Sequence, residues 1–302
     1  MGKEKVVVTG GAGFIGSHIV DACIDRGFDV HIIDNLSGGK KEHINPKAKF
    51  HKLDIRNLDD IKPILKGAKY VFHTAALPRV QYSILNPQET NWVNVGGTVN
   101  LLIAASEGNV GKVIYSASSS AYGDSVKLPL KENMSANPKS PYGLHKYIGE
   151  LYMKVWSEVY NLTTVSLRYF NVYGPRFDPD GAYALVIGKF LKQKKNGEAL
   201  TIAGDGTQTR DFTHISDVVA ANLLAAECVK ASGGKVFNIG FGKRTSVNEL
   251  AKLIGGKTTT IEPRLEPHDT EADNKKALKC FGWSPKISLE KGIKELKKEF
   301  GV

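Results

Sequence analysis

No stretch of the 302-residue sequence approaches the ~18–20 consecutive apolar residues that a membrane-spanning helix needs. No membrane partner is therefore expected. Cysteine is scarce: Cys23, Cys228 and Cys280 are odd in number, far apart and without metal-ligand spacing. That argues against a disulfide framework and a cysteine metal site, and points to a reducing, cytoplasmic setting with no bound metal. The opening MGKEKVVVTGG does not read as a signal peptide, because glycines break its apolar run at once. Internal repeats, low-complexity tracts and a clear linker are also lacking. The net charge is +10, yet the lysines are scattered (Lys40–Lys41, Lys192 with Lys194–Lys195, Lys297–Lys298) with no interleaved aromatics. A solvated surface or a small anionic substrate accounts for that charge, and no nucleic-acid partner is expected.

What is present is ordinary globular material, 41% hydrophobic and 24% charged, long enough for a well-buried core. Strand-like and helix-like segments alternate. Lys5–Thr9, Val30–Ile33, Phe50–Leu53, Tyr70–His73, Lys112–Ser116 and Thr163–Leu167 read as strands. Phe14–Arg26, Gln88–Ser106 and Pro141–Val159 read as helices, the last with Ser140 as N-cap and Pro141 in its first turn. Such order predicts an α/β fold, a doubly wound parallel sheet with helices on both faces. After Asn171 the pattern loosens into a smaller C-terminal α/β lobe. There a helix is predicted from Ala184 to about Lys195, strands at Leu200–Ala203 and Val236–Ile239, and a helix over Ser216–Cys228. A capping box is read at Ser246 and Glu249, and a packed final helix carries Leu289, Ile293, Leu296 and Phe300.

VVVTGGAGFIGSH joins the first strand to the first helix, with Gly10, Gly13 and Gly16 in G-x-x-G-x-x-G spacing. Small residues let backbone N–H groups approach a pyrophosphate at a helix N-terminus, so dinucleotide binding is expected. Asp34 closes the second strand eighteen residues after Gly16. A carboxylate there accepts from ribose hydroxyls and repels a 2′-phosphate, which favours NAD over NADP; Asp34 also reads as a turn residue of DNLSGG. Asp54 reads as an adenine contact or as an N-cap.

In SPYGLHKYIGE, Tyr142 and Lys146 stand four apart and share a helix face. A free phenol has a pKa of about 10, and roughly 4 kcal/mol of stabilisation by neighbouring cations brings it near neutrality. In YSASSSAYG, Ser118, Ser119 and Ser120 end the fifth strand at the carboxyl edge, where ligands of such sheets bind. They read as hydroxyls for a reacting alcohol or simply as strand-ending serines.

With these motifs the chain resembles the extended short-chain dehydrogenases/reductases of the NAD-dependent nucleotide-sugar epimerase/dehydratase type. TGGAGFIGSH, DNLSGG, LDIR, HTAALPRVQ, NVGGTVNLL, SASSSAYG, YGLHK, RYFNVYGPR, DGTQTRDFTHISDV and GWSPKISLEKGI carry the resemblance nearly end to end. It implies a Rossmann-type NAD-binding domain over 1–171, with 213–240 returning to it, and a nucleotide-sugar-binding lobe over 172–212 and 241–302. It implies Ser118, Tyr142 and Lys146 as catalytic residues. Cofactor contacts are implied at Gly10, Gly13, Phe14, Ile15, Gly16, Asp34, Asn35, Ser37, Gly39, Asp54, Ile55, Thr74, Ala75, Ala76, Asn94, Ser116 and Tyr169, besides Tyr142 and Lys146. Substrate contacts are implied at Pro78, Ser118, Ser119, Ser120, Asn171, Ala184, Leu185, Val186, Thr201, Ile202, Arg210, Arg264 and Glu266.

Within the resemblance, 4,6-dehydratases carry an acid and a base between the serine and the next tyrosine, and decarboxylases a glutamate at the place of Ser120. This chain has serines there, which disfavours elimination. Reversible 4-epimerisation of a UDP-hexose is expected, UDP-glucose/UDP-galactose first and the N-acetyl forms next, with a dehydratase or an epimerase at another carbon as the alternative. ALPRVQYSILNP resembles epimerases that accept acetylated sugars, and Thr270 falls at a size-selecting position. PRLEPHDTEAD is one residue shorter than the usual arginine-to-acid spacing, so the roles of Arg264 and Glu266 stay open. The resemblance also implies a homodimer through Gln88–Ser106 and Pro141–Val159.

Overall fold

The computed structural model describes residues 2–124, 127–177, 186–262 and 268–302. β1 (Lys5–Thr9), α1 (Phe14–Asp25), β2 (Asp29–Ile33), β3 (Lys49–His51), α2 (Leu58–Leu65) and β4 (Tyr70–His73) come first. α3 (Val80–Leu85) and α4 (Pro87–Asn91) precede a π-helical turn at Trp92–Gly96 that runs into α5 (Gly97–Glu107). β5 (Lys112–Ser118), α6 (Pro141–Val159) and β6 (Thr164–Tyr169) follow, then β7 (Val172–Tyr173), α7 (Val186–Lys195) and β8 (Leu200–Ala203). β9 (Thr209–Asp211), β10 (Thr213–His214), α8 (Ile215–Glu227) and β11 (Lys235–Ile239) lead to β12 (Arg244–Ser246), α9 (Val247–Ile254) and β13 (Thr258–Ile261). α10 (Lys275–Phe281) and α11 (Leu289–Phe300) close the chain.

Seven strands form one parallel sheet in the order β11-β6-β5-β4-β1-β2-β3. Alternation along β1 shows why both faces are covered. Val6 and Val8 pack into the core under α1 and α8, with Ile15, Ile19, Val218 and Ala221, while Val7 points to the other core, with Ile61, Leu65, Leu101 and Leu102. Burial on both faces is what near-continuous apolar strands require. The strand order reverses direction between β1 and β4, and the crevice at their carboxyl ends is the place such sheets offer a ligand. The fold class is thus a Rossmann-like parallel α/β sheet with additional C-terminal α/β elements.

Those elements share a third core. Phe190 and Leu191 of α7, Leu200 of β8, Leu250 and Ile254 of α9, and Ile293 and Leu296 of α11 pack together around the parallel pair β8–β13. The capping box forms: Ser246 Oγ accepts from the Glu249 N–H at 3.1 Å, and the Glu249 carboxylate accepts from the Ser246 N–H at 2.7 Å.

Two expectations are refined. The helix expected at Gln88–Ser106 runs from Pro87 to Glu107 but is locally underwound by the π turn, and Gly97 presses against Ile55, where a Cβ would lie 2.5 Å from Cδ1. The helix expected from Ala184 begins, among described residues, at Val186. No described helix is long and apolar enough to cross a membrane.

Candidate active site

A cavity of about 560 Å³ opens along the carboxyl edge of the sheet. One wall is the loop from β1 to α1. Gly10 has φ +70°, and a Cβ there would lie 2.8 Å from the Ala75 nitrogen; at Gly16 it would lie 2.1 Å from the Gly10 carbonyl oxygen. Only glycine permits this turn and this approach. α1 then begins at Phe14, and its N-cap Gly13 makes no side-chain cap hydrogen bond, so no capping side chain stands between this helix N-terminus and an anion. Gly13, Phe14, Ile15 and Gly16 all line the cavity.

Past β2, Asp34 is almost fully buried. It accepts from the Ala12 N–H at 3.0 Å and the Leu36 N–H at 2.8 Å, and burial pushes its carboxyl up while the two amides oppose that. Asn35, Ser37, Gly39 and Ile55 line the same end. Asp54 lines it too, but its oxygens are already engaged. Oδ1 accepts from the Arg56 N–H and Nε, and Oδ2 from Arg56 Nη2 at 2.7 Å and Asn35 Nδ2 at 2.9 Å. The Arg56 guanidinium holds this carboxyl at about 2.

At the other end α6 meets the end of β5. Tyr142 and Lys146, both buried and one turn apart, line the cavity with Ser116, Ser118, Ser119 and Ser120. Lys146 Nζ donates to the Ser116 carbonyl oxygen at 2.8 Å and sits 5.1 Å over the Tyr115 ring. Burial lowers this ammonium to about 8, with the Glu150 carboxylate opposing. Ser118 Oγ accepts from the Ser120 N–H at 3.2 Å and hydroxyl at 2.9 Å, which orients the serine turn. Ser116 Oγ, Tyr169 OH and Asn222 Oδ1 form a buried chain at 3.1 and 2.9 Å.

Thr74, Ala75, Ala76 and Pro78 line the wall between the ends. Asn94 does not. Its buried amide clasps the Leu77 backbone, accepting from the N–H at 2.7 Å and donating to the carbonyl at 3.0 Å, so it shapes that wall from behind. From the C-terminal elements come Asn171, Arg210 and Thr270. Asn171 donates to the Asp211 carbonyl at 3.0 Å, and Arg210 Nη1 to the carbonyls of Thr209 and His268, both at 3.0 Å. Val186, Thr201 and Ile202 are not in the cavity lining. Thr201 exchanges hydrogen bonds with the Gln193 amide, and Ile202 is buried in the third core. Ala184, Leu185, Arg264 and Glu266 lie outside the described residues. Among the described residues no His, Cys, Asp and Glu cluster is arranged to hold a metal.

Sequence reasoning gave no site role to Lys40, Arg56 and Arg176, which add positive charge to the lining, nor to His43, whose charged form is disfavoured by burial and by Arg176. Arg176 stood in the quoted RYFNVYGPR string, and its pairing with Asp21 at 2.6 Å fastens that loop to α1.

The NAD dependent epimerase/dehydratase family matches residues 6–240. A putative UDP-glucose 4-epimerase of Methanocaldococcus jannaschii is 44% identical over 300 residues, covering 96% of both chains. The crystal structure of Thermotoga maritima UDP-glucose 4-epimerase with UDP-glucose superimposes with a TM-score of 0.94 at 40% identity, covering 98% of each chain. A UDP-N-acetylglucosamine 4-epimerase of Methanobrevibacter ruminantium, in complex with UDP-N-acetylmuramic acid, gives 0.92 at 39%, covering 99% of this chain and 100% of its own. A Thermus thermophilus UDP-glucose 4-epimerase in complex with NAD gives 0.90 at 32%, covering 98% and 99%. The chain belongs to the NAD dependent epimerase/dehydratase family.

Proposed function

We propose that this member of the family interconverts UDP-hexoses by reversible 4-epimerisation with NAD bound throughout. The observation that carries the reading is that the glycine loop, the Tyr142–Lys146 pair and the three serines open into one cavity. The uncapped start of α1 and the buried Asp34 carboxylate fit a dinucleotide without a 2′-phosphate. Gly10, Gly13, Asp34 and Lys146 would hold NAD, which when bound supplies reversible oxidation, so that the sugar carbon passes through a ketone.

The chain's own residues then manage a proton and an orientation. Tyr142, as phenolate, takes the proton from the sugar hydroxyl at carbon 4 and returns it. The Lys146 ammonium favours that phenolate, and Ser118, with Ser119 and Ser120, holds the reacting oxygen. Positions 119 and 120 carry no carboxylate to protonate a leaving hydroxyl, which argues against dehydration. Asn171 and Arg210, with Leu185 and Arg264 outside the described residues, are assigned to the diphosphate, for which arginine's planar fork is suited. We assign 1–171 with 213–240 to the cofactor, and 172–212 with 241–302 to the nucleotide sugar. The enzyme is read as a cytoplasmic homodimer, its three thiols being free.

UDP-glucose/UDP-galactose is the first substrate pair. The N-acetyl pair is second, favoured by the ALPRVQYSILNP stretch and by the likeness to the Methanobrevibacter enzyme. Incubation with the four UDP-sugars and product separation tests this; four unchanged substrates in NAD-loaded protein would defeat it. Tyr142→Phe is expected to keep fold and NAD and to lose about 10²–10⁴-fold in turnover.

A further inference from the structure

We propose that Ser83 is a positioning residue for this reaction: its buried hydroxyl anchors the backbone of Tyr142 and so sets where the phenol stands. The inference rests on the epimerase reading for the role of Tyr142.

The first turn of a helix has N–H groups with no intrahelical carbonyl. At the start of α6, Ser140 Oγ accepts from the Gly143 N–H at 3.1 Å, and the Ser140 carbonyl accepts from the Leu144 N–H at 3.0 Å. Pro141 has no N–H. The remaining donor is Tyr142 itself, and its N–H goes to Ser83 Oγ at 3.0 Å, across 59 residues of sequence. Ser83 is fully buried, and its own proton is donated to the Val80 carbonyl at 2.6 Å, so its oxygen acts as acceptor toward Tyr142. The direction of both bonds is therefore settled.

The neighbours make the anchor stiff. Gly143 is pressed onto the serine turn, where a Cβ would lie 2.8 Å from the Ser120 carbonyl oxygen. Tyr142's backbone is thus held between α3 on one side and the Ser118–Ser120 turn on the other. Val80, whose carbonyl orients Ser83, also lines the cavity with Pro78. One short helix therefore links the wall of the sugar pocket to the proton-transfer residue. Removing the hydroxyl leaves a buried N–H unpaired, and the first turn must shift to find another acceptor. A misplacement of about 1 Å in a catalytic group costs on the order of 10²-fold in rate.

The test is Ser83→Ala in the full chain loaded with NAD, beside the unmodified protein. We expect kcat for UDP-glucose/UDP-galactose interconversion to fall about tenfold or more while KM moves less than about twofold, with active sites counted by bound NAD. A second readout needs no substrate. Amide hydrogen exchange at Tyr142 is protected in the unmodified holoprotein and accelerates about a hundredfold in the variant. Ser83→Cys, nearly isosteric with a weak acceptor, gives an intermediate loss and serves where the alanine variant does not fold. A kcat within about twofold of the unmodified value with unchanged Tyr142 exchange overturns the proposal. If the unmodified protein converts no UDP-hexose, the epimerase reading fails, and exchange at Tyr142 still decides whether Ser83 anchors it.

Discussion

Lys146 donates its ammonium to the Ser116 carbonyl oxygen at 2.8 Å, tying α6 to the end of β5 one turn beyond Tyr142. This contact orders the group proposed to support the phenolate, and burial makes that group titrate early, at about 8. Below that pH the ammonium is present; above it the support is lost. Turnover should therefore fall as pH rises through about 8. Stability has the opposite sign. The unfolded lysine keeps its proton to about 10.4, so between about 8 and about 10.4 the unfolded chain binds more protons and this group favours the fold increasingly as pH rises. The same depressed value thus lowers activity and raises stability over one window. A kcat–pH profile measured beside thermal unfolding checks it, and undiminished turnover well above pH 9 would remove Lys146 from its assigned role.

Asp34 leads to a second prediction. Its two carboxylate oxygens already accept from the Ala12 and Leu36 amides, which aims the group and keeps a charge at the end of β2. On the proposed cofactor reading, Asp34→Ala removes the repulsion that would exclude a 2′-phosphate and also the acceptor proposed for ribose hydroxyls. NAD affinity should drop about tenfold or more, and the preference for NAD over NADP should narrow by a similar factor. Titration of cofactor-stripped protein with each dinucleotide measures both. An unchanged preference would show that another residue discriminates.

How far the sequence showed all this depends on chain distance. The glycine loop and the Tyr142–Lys146 pair each lie within one strand–helix junction or one helix turn, so spacing alone locates them. The Ser83 contact with Tyr142 spans 59 residues and has no periodic signal; it exists only because α3 folds against the start of α6. α2, with Pro63 inside it, was missed because a helix-breaking residue masks eight residues of amphipathic pattern. Asn94 was expected at the cofactor on resemblance, and its position behind Leu77 follows from the π turn, which no local rule predicts. Asp54 showed two readings in sequence, an adenine contact or an N-cap; in the structure its carboxylate is engaged by Arg56 two residues later, a contact neither reading included, and the N-cap of α2 is Asn57.

Glu150, one turn past Lys146, forms a two-pronged pair with Arg168 at 2.8 and 2.6 Å, both side chains nearly fully buried. Arg168 also stacks 4.5 Å over the Tyr122 ring. Removing one partner strands the other charge. Glu150→Ala should destabilise by about 3–5 kcal/mol, and adding Arg168→Met should recover part of that loss. Denaturant unfolding of the two single variants and the double variant measures the coupling; strictly additive losses would show that the pair does not act as a unit.

The outer face of α6 supports the last prediction. Leu144, Leu151, Val155 and Val159 are between 43% and 64% exposed and stand seven, four and four residues apart, so they form one stripe. Trp92, on the adjoining helical segment, is 60% exposed, and its ring carries the Arg56 guanidinium at 4.9 Å. Large apolar groups collected on two neighbouring helices are costly in water, and on the proposed homodimer reading they form the surface a second copy covers. A second copy meets it with the same stripe when the two chains are related by a twofold axis, and each residue then faces its counterpart or a near neighbour. Charge placed there is doubled across the axis, so Leu151→Glu with Val155→Glu sets like charges against each other in an apolar contact. The unmodified 32.9 kDa chain should sediment as a dimer, and the double variant as a monomer with dimer affinity reduced at least about a hundredfold. Because Tyr142 and Lys146 point to the opposite, buried side of α6, bound NAD should be retained. A monomeric unmodified protein, or a variant that stays dimeric, would place the interface elsewhere.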